Sequence, residues 1–356
     1  MSERSNIRRA LIMDAVSQVL DNRVFRILFG LSTLFVAFTF LVGFREDSVV
    51  LFFGYQEYFY EDFFRWMPFA PQIGGTEQQQ AGIDWVQNFF ASQIAGTFGI
   101  LFCLAATSFF MPQILEKGFA DSFFSKPVTR WQLLVSRYVA SILLIAFLAF
   151  LLVGGIYLGL LTASGYSDPG FLWSAPTLIY LFALVSGFTV FWGCMTRNTI
   201  ATLLLTMISY GFTSGVHTAW TGIELFRESP VWEEIERARE EGRSTNAEVA
   251  FQRFLIHTVD VLHYTLPKTH DAKFITANLR DRMVTEERER GVVRVEVDDD
   301  GEQQFVERDN PFGSYEDRLT WTGPLATNLS FSIVSSLLFV LACLGLAWTR
   351  IRRISF

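Results

Sequence analysis

Three histidines, His257, His263 and His270, stand near Asp260 and Asp271, and imidazoles with carboxylates are the usual ligands of divalent transition metals. Their spacing argues against such a site. His257 and His263 are six residues apart, where a shared helix face needs three or four, and no zinc or copper motif fits the set. Packed or surface histidines, with no bound metal, are therefore expected. A second candidate is the polar connector around Glu116, Lys117, Gly118, Asp121, Ser125, Lys126, Pro127, Thr129 and Arg130, bracketed by Pro112 and Pro127. It can form a short helix with charges at its ends, followed by a Pro127-Val128-Thr129-Arg130 corner that opens the next helix. Such a rigid knob could pass a push from a partner into the helices on either side; a capped connector bearing basic residues is the alternative reading. No Gly-x-x-x-x-Gly-Lys-Ser/Thr loop is present to cradle a nucleotide. No nucleophile, base or metal cluster converges near a span end, so no catalysis and no cofactor is expected of this chain itself.

The elements that must carry these residues are read from hydropathy. Half of the 356 residues are hydrophobic (51%) and only 18% are charged, against about 25% charged in ordinary globular domains. Crossing about 30 Å of hydrocarbon takes about 20 helical residues, and a helix satisfies its own backbone groups in lipid. Six apolar runs reach or approach that length, at roughly 27 to 43, 93 to 113, 132 to 162, 174 to 195, 199 to 217 and 325 to 348. None has a charged residue or histidine near its middle, where each charge would cost about 2.5 to 3.5 kcal/mol. Intramembrane carboxylates of the kind that mark proton relays are thus missing. Cys103, Cys194 and Cys343 lie inside apolar runs and behave as small hydrophobes. The first run is too long for the core of a signal peptide and is expected to be a retained span.

Orientation follows from lysine and arginine in the short connections. With the N-terminus inside, the inner side collects Arg4, Arg8, Arg9, Arg23, Arg26, Lys117, Lys126, Arg130, Arg137, Arg197, Arg350, Arg352 and Arg353. The short outer segments hold only Arg45 and Arg65. Both termini are therefore expected in the cytoplasm. Trp85, Trp131, Trp173, Trp321 and Trp348 fall near span ends, where an amphipathic ring prefers to sit. Residues 1 to 26 carry an amphipathic pattern (Ile7, Leu11, Ala15 and Val19 against Arg8, Asp14, Gln18 and Asp21), which fits a helix in the membrane interface or an ordinary packed helix. An aromatic-rich loop, 44 to 92, is expected to pack at the outer interface. Residues 218 to 324 form a hydrophilic outer domain, expected to be α+β, with helices at Val231 to Glu241 and Ala247 to Leu266 and a hairpin from Val292 to Glu307. The acidic stretches Glu286 to Glu289 and Asp298 to Asp300 read as a solvated face. Gly154, Gly155 and Gly159 allow either close helix approach at a dimer seam or a kink. Thr189, Thr206, Ser209, Tyr210 and Thr213 either line a path or make interhelical hydrogen bonds.

The connector resembles the signature of ABC-2-type ABC transporter permeases: Glu116 and Gly118, a short helical stretch, then Ser125-x-Pro127-Val128-Thr129-Arg130. The resemblance covers the whole membrane part, including the interfacial helix, the outer loop after the first span, six spans in the 27 to 217 and 325 to 356 segments, and His263-Tyr264-Thr265-Leu266-Pro267 before the last span. It is most similar to the branch that includes sodium-export and copper-maturation (NosY/NatB-like) permeases. Lys117-Gly118-Phe119 and Arg137 depart from that branch's usual residues, and 218 to 324 is longer than usual. The resemblance implies a coupling helix at 112 to 131 that docks on separate ABC ATPase subunits, which would hold ATP and Mg. It also implies a second permease copy, identical or not, and a bacterial inner membrane. An exporter is therefore expected, all-α and polytopic, with no nucleic-acid partner. The alternative is an ATPase-driven module that relays motion through 218 to 324 to an extracytoplasmic partner.

Overall fold

The computed structural model describes residues 12–14, 16–45, 48–52, 55–59, 82–83, 86–87, 89–115, 129–165, 167–227, 246–271, 275, 279, 321 and 328–353. Residues 116–128 of the connector, 231–241, the expected hairpin at 292–307 and the acidic stretches lie outside them. Two compact units emerge, Met1–Thr206 with Cys343–Phe356, and Met207–Ala342.

Among the described residues, six helical stretches are long and apolar enough to cross a membrane: Arg23–Leu41, Phe89–Gln113, Arg130–Ser164, Pro169–Thr196, Thr199–Glu224 and Leu329–Arg353. Each overlaps one of the apolar runs in the sequence. We label the α-helices α1 (Arg23–Leu41), α2 (Ile100–Thr107), α3 (Phe110–Ile114), α4 (Arg130–Ser164), α5 (Ser174–Thr196), α6 (Thr199–Arg227), α7 (Asn246–Thr265) and α8 (Leu329–Arg353). Ile27, Leu34 and Phe38 on α1, Ile200, Ile208 and Phe212 on α6, and Leu338 and Leu341 on α8 are all exposed. Apolar faces of this extent suit lipid tails and are costly against water.

In the first unit, α1 starts after Asn22, whose side chain accepts from the Val24 amide at 2.8 Å. The second apolar run is not one continuous α-helix. It enters as a π-helical segment, Phe89–Gly99, continues as α2, breaks at Ser108 and Phe109, and resumes as α3. Pro112 accounts for the break, because a proline ring collides with the carbonyl four residues back, here that of Ser108. Helix α4 has 35 residues, about 50 Å at 1.5 Å per residue, which exceeds the hydrocarbon thickness by several turns. It ends at Gly165 in the left-handed conformation, with φ of 70°. Between α5 and α6, Arg197 takes positive φ, and the Asn198 side chain accepts from the amides of Ile200 and Ala201, capping α6.

The loop after α1 differs from its expected form, and with it the all-α expectation for the membrane part needs correction. The loop contains an antiparallel sheet of β1 (Val42–Phe44), β2 (Ser48–Leu51) and β3 (Gln56–Phe59), which the aromatic content did not announce. Phe44 pairs with Val49 and Val49 with Tyr58. Val42, Phe44 and Val49 are buried in a cluster with Val153, Ile156 and Leu160 of α4 and with Phe171. The Phe44 amide donates to Ser164 Oγ at 2.8 Å, tying β1 to the C-terminal end of α4. Strand β3 is exposed.

Two of the α4 glycines meet a partner that neither the dimer-seam nor the kink reading named. A Cβ on Gly155 would stand 2.5 Å from Val36 Cγ2, and one on Gly159 would collide with Thr39 Oγ1 and press on the Thr39 backbone. Both glycines therefore face α1 of the same chain, which makes the seam intramolecular. A Cβ on Gly154 would meet nothing within 4 Å. The three cysteines are buried and free of disulfides.

In the second unit, α6 runs to Arg227, well beyond the apolar run that ended at residue 217. Its last turns are tied to α7, which matches the helix expected over Ala247 to Leu266. Trp220 Nε1 donates to Asp260 Oδ1 at 3.1 Å, and Arg227 donates to Asp260 Oδ2 at 2.8 Å. Segment 266–271 follows α7, and within it the Lys268 amide donates to Ser336 Oγ on α8 at 2.9 Å.

Candidate functional site

Of the connector residues, Thr129 and Arg130 are described; Glu116, Lys117, Gly118, Asp121, Ser125, Lys126 and Pro127 lie outside the described residues. Thr129 opens α4 with a reciprocal cap. Its hydroxyl accepts from the Gln132 amide at 3.3 Å, and the Gln132 side chain accepts from the Thr129 amide at 3.1 Å. Arg130 donates to the Ile351 carbonyl at 2.9 Å, one of the last carbonyls of α8, where a helix lacks partners of its own. Trp131 packs edge-on against Trp348, with ring centroids 5.5 Å apart. The connector thus feeds into a corner where α4 and the basic end of α8 are held together.

The same end of the unit carries a buried charge. Arg137 lies about two turns into α4 and is 1% exposed, yet it bonds Asp14 at 3.0 Å and also Gln18, with its guanidinium 5.3 Å from the Phe110 ring centroid. Asp14 and Gln18 belong to the polar face of the N-terminal amphipathic pattern, so part of that face turns toward α4. The start of α4, the end of α8 and the segment around Asp14, which the sequence assigns to one side of the membrane, meet at one end of this unit. An apolar cavity of about 240 Å³ also lies in the unit, lined among others by Phe35, Phe98, Phe102, Leu148 and Leu152. That lining suits an aliphatic chain and includes no charged group. Of the hydroxyls that could line a path, those of Thr206 and Thr213 are spent on carbonyls of their own helix, at Thr202 and Tyr210.

The second unit holds a dense polar cluster. His217 of α6 stacks on His270 at 4.4 Å between centroids and lies 5.5 Å from His263, which itself stacks on Trp220 at 4.0 Å. His217 Nδ1 is 3.6 Å from Asp271 Oδ1. His217, His263, Lys268, Thr269 and Asp271 are all buried. Burial, then the Lys268 charge and the His217 ring, push the His263 imidazole down to about 2, so that it is neutral. Burial likewise holds the Lys268 ammonium below its ordinary value, with the Asp271 carboxylate pulling the other way. That ammonium lies 4.9 Å from the Phe331 ring centroid and 5.4 Å from that of Tyr264.

Of the residues that the sequence grouped as a metal candidate, His263, His270 and Asp271 do converge. His257 does not join them; it is exposed on α7, and Asp260 turns to Trp220 and Arg227 instead. Sequence reasoning passes over His217 because it closes an apolar run and looks like the end of a span. The signal that could have found it is the uncharged, proline-free stretch Thr218-Ala219-Trp220-Thr221-Gly222, which continues the helix. Comparison with family models, with curated proteins and with solved structures returns no match.

Proposed function

We propose that this chain is the membrane-spanning permease subunit of an ABC transporter, worked by separate cytoplasmic ATPase subunits and paired with a second permease copy in a bacterial inner membrane. The connector resemblance supports it, through Glu116, Gly118, Ser125, Pro127, Val128, Thr129 and Arg130. Six helices of spanning length are what such a subunit needs. The observation that carries the reading furthest is the corner at Thr129 and Arg130. A docking element delivers force only if its exit is stiff, and here the exit is capped by Thr129 and bonded through Arg130 to the last turn of α8. A tilt of the connector would then move α4 and the end of α8 together. The nucleotide site belongs to the partner, and export is the direction that the resemblance implies.

The test is ATP hydrolysis by the complex purified with its ATPase. Arg130→Ala removes a charge-assisted hydrogen bond worth about 1.5–3 kcal/mol, or about 10- to 100-fold in a coupling equilibrium. We expect at least a roughly tenfold loss of permease-stimulated turnover, and a comparable loss for Glu116→Ala, with the ATPase's own basal rate kept. Full stimulation in both variants would contradict a transmission role for the connector.

A further inference from the structure

We propose that His217, His270 and Asp271 form a binding site for a divalent transition-metal ion of the zinc class in the second unit. One donor atom from each of the three lies within 4.8 Å of the other two. The His217 Nδ1 to Asp271 Oδ1 separation of 3.6 Å is close to the roughly 3.3 Å between two ligands of a tetrahedral ion held at about 2.0–2.1 Å. Two imidazoles with one carboxylate form a donor set that suits zinc-like ions and leaves a fourth position open. Calcium and magnesium, which prefer all-oxygen cages, fit it poorly.

The fold brings these ligands together from separate segments. His217 and Asp271 are both more than nine-tenths buried, one on α6 and the other in the turn after α7. The Asp260 bridge to Trp220 and Arg227 fixes α6 against α7, and the Lys268 amide bond to Ser336 fixes the turn that presents His270 and Asp271. His263, 3% exposed, packs between Trp220 and His217, and its Nε2 has no hydrogen-bond partner among the described residues. A buried imidazole nitrogen left so is costly, and its ring lies beside the site, 5.5 Å from that of His217 between centroids. The Asp271 carboxylate supplies the negative charge that makes a dication tolerable beside Lys268.

Spacing along the sequence hid this set because His217 precedes the other two by a long stretch of chain, on a helix that hydropathy ended too early. The exposed His257, outside the cluster, is the natural control. The experiment is Co2+ titration of the tag-free full chain in detergent after chelator treatment, followed by visible absorption, with Zn2+ as competitor. One Co2+ per chain is expected, with the strong d–d absorption of low-coordinate cobalt, displaced by Zn2+. His270→Gln and Asp271→Asn should each weaken binding by roughly tenfold or more, and His257→Ala should leave it unchanged. Each variant is first checked by its elution profile. The proposal is overturned if binding does not saturate, if well-folded His270→Gln and Asp271→Asn bind as the parent does, or if His257→Ala abolishes the signal. None of these outcomes depends on whether an ATPase partner exists.

Discussion

Gly159→Leu is expected to destabilise the first unit by about 3 kcal/mol or more, enough to lower the temperature of half-aggregation in detergent by several degrees. Even a single added Cβ would collide with Thr39 Oγ1 and stand 3.1 Å from the Thr39 backbone carbon. Backbone cannot swing aside as the tip of a flexible side chain can, so α1 as a whole must retreat. Thr39 is also pinned, because its hydroxyl donates to the Val36 carbonyl at 2.8 Å. In lipid, helices gain little from hiding apolar surface, and association rests on close packing, so opening this seam forfeits most of what holds α1 to α4. Gly154→Leu, on a different face with nothing within 4 Å, is the matched control and should change the midpoint little. Equal losses for the two variants would show that leucine is tolerated or rejected for reasons unrelated to the seam.

Asp14→Ala is expected to cost about 2 kcal/mol, and Arg137→Met less than about 1 kcal/mol. The asymmetry follows from burial. Removing Asp14 takes the carboxylate from a guanidinium that is 1% exposed and leaves Gln18 and the Phe110 face beside it, whereas removing Arg137 leaves a carboxylate whose side chain is 45% exposed and can rehydrate. The double variant should therefore recover stability relative to Asp14→Ala alone, which a cycle of thermal midpoints would read directly. Additive losses would mean that the two residues act separately. Because Asp14 lies in the segment before α1, the same variants also report whether that segment is docked on α4.

The six long apolar helices were legible because an uncharged run of about 20 residues satisfies its own backbone groups as a helix, and the start of α4 was legible from the Pro127-Val128-Thr129-Arg130 corner, although the reciprocal Thr129–Gln132 cap was not. Non-local pairings were not. The strands at Val42–Phe44, Ser48–Leu51 and Gln56–Phe59 form by cross-strand bonds and by burial of Val42, Phe44 and Val49 on α4, and aromatic content alone pointed to the membrane interface. Gly155 and Gly159 announced either a close approach at a dimer seam or a kink, and the close approach they make is to α1 of the same chain. His217 escaped because the end of a hydropathy window is not the end of a helix: the uncharged Thr218 to Gly222 stretch continues α6 toward Arg227, where the bonds to Asp260 hold it.

Whether a separate ATPase grips the connector between the second and third apolar helices can be read by crosslinking from the connector itself. The chain's own thiols are buried, so a Lys117→Cys variant can carry a photoactivatable crosslinker in native membranes, and the adduct can be identified by its peptides. An adduct with a nucleotide-binding ATPase, formed from the cytoplasmic side, is the expected result. Labelling of that thiol from outside intact cells, with no ATPase adduct, would contradict it.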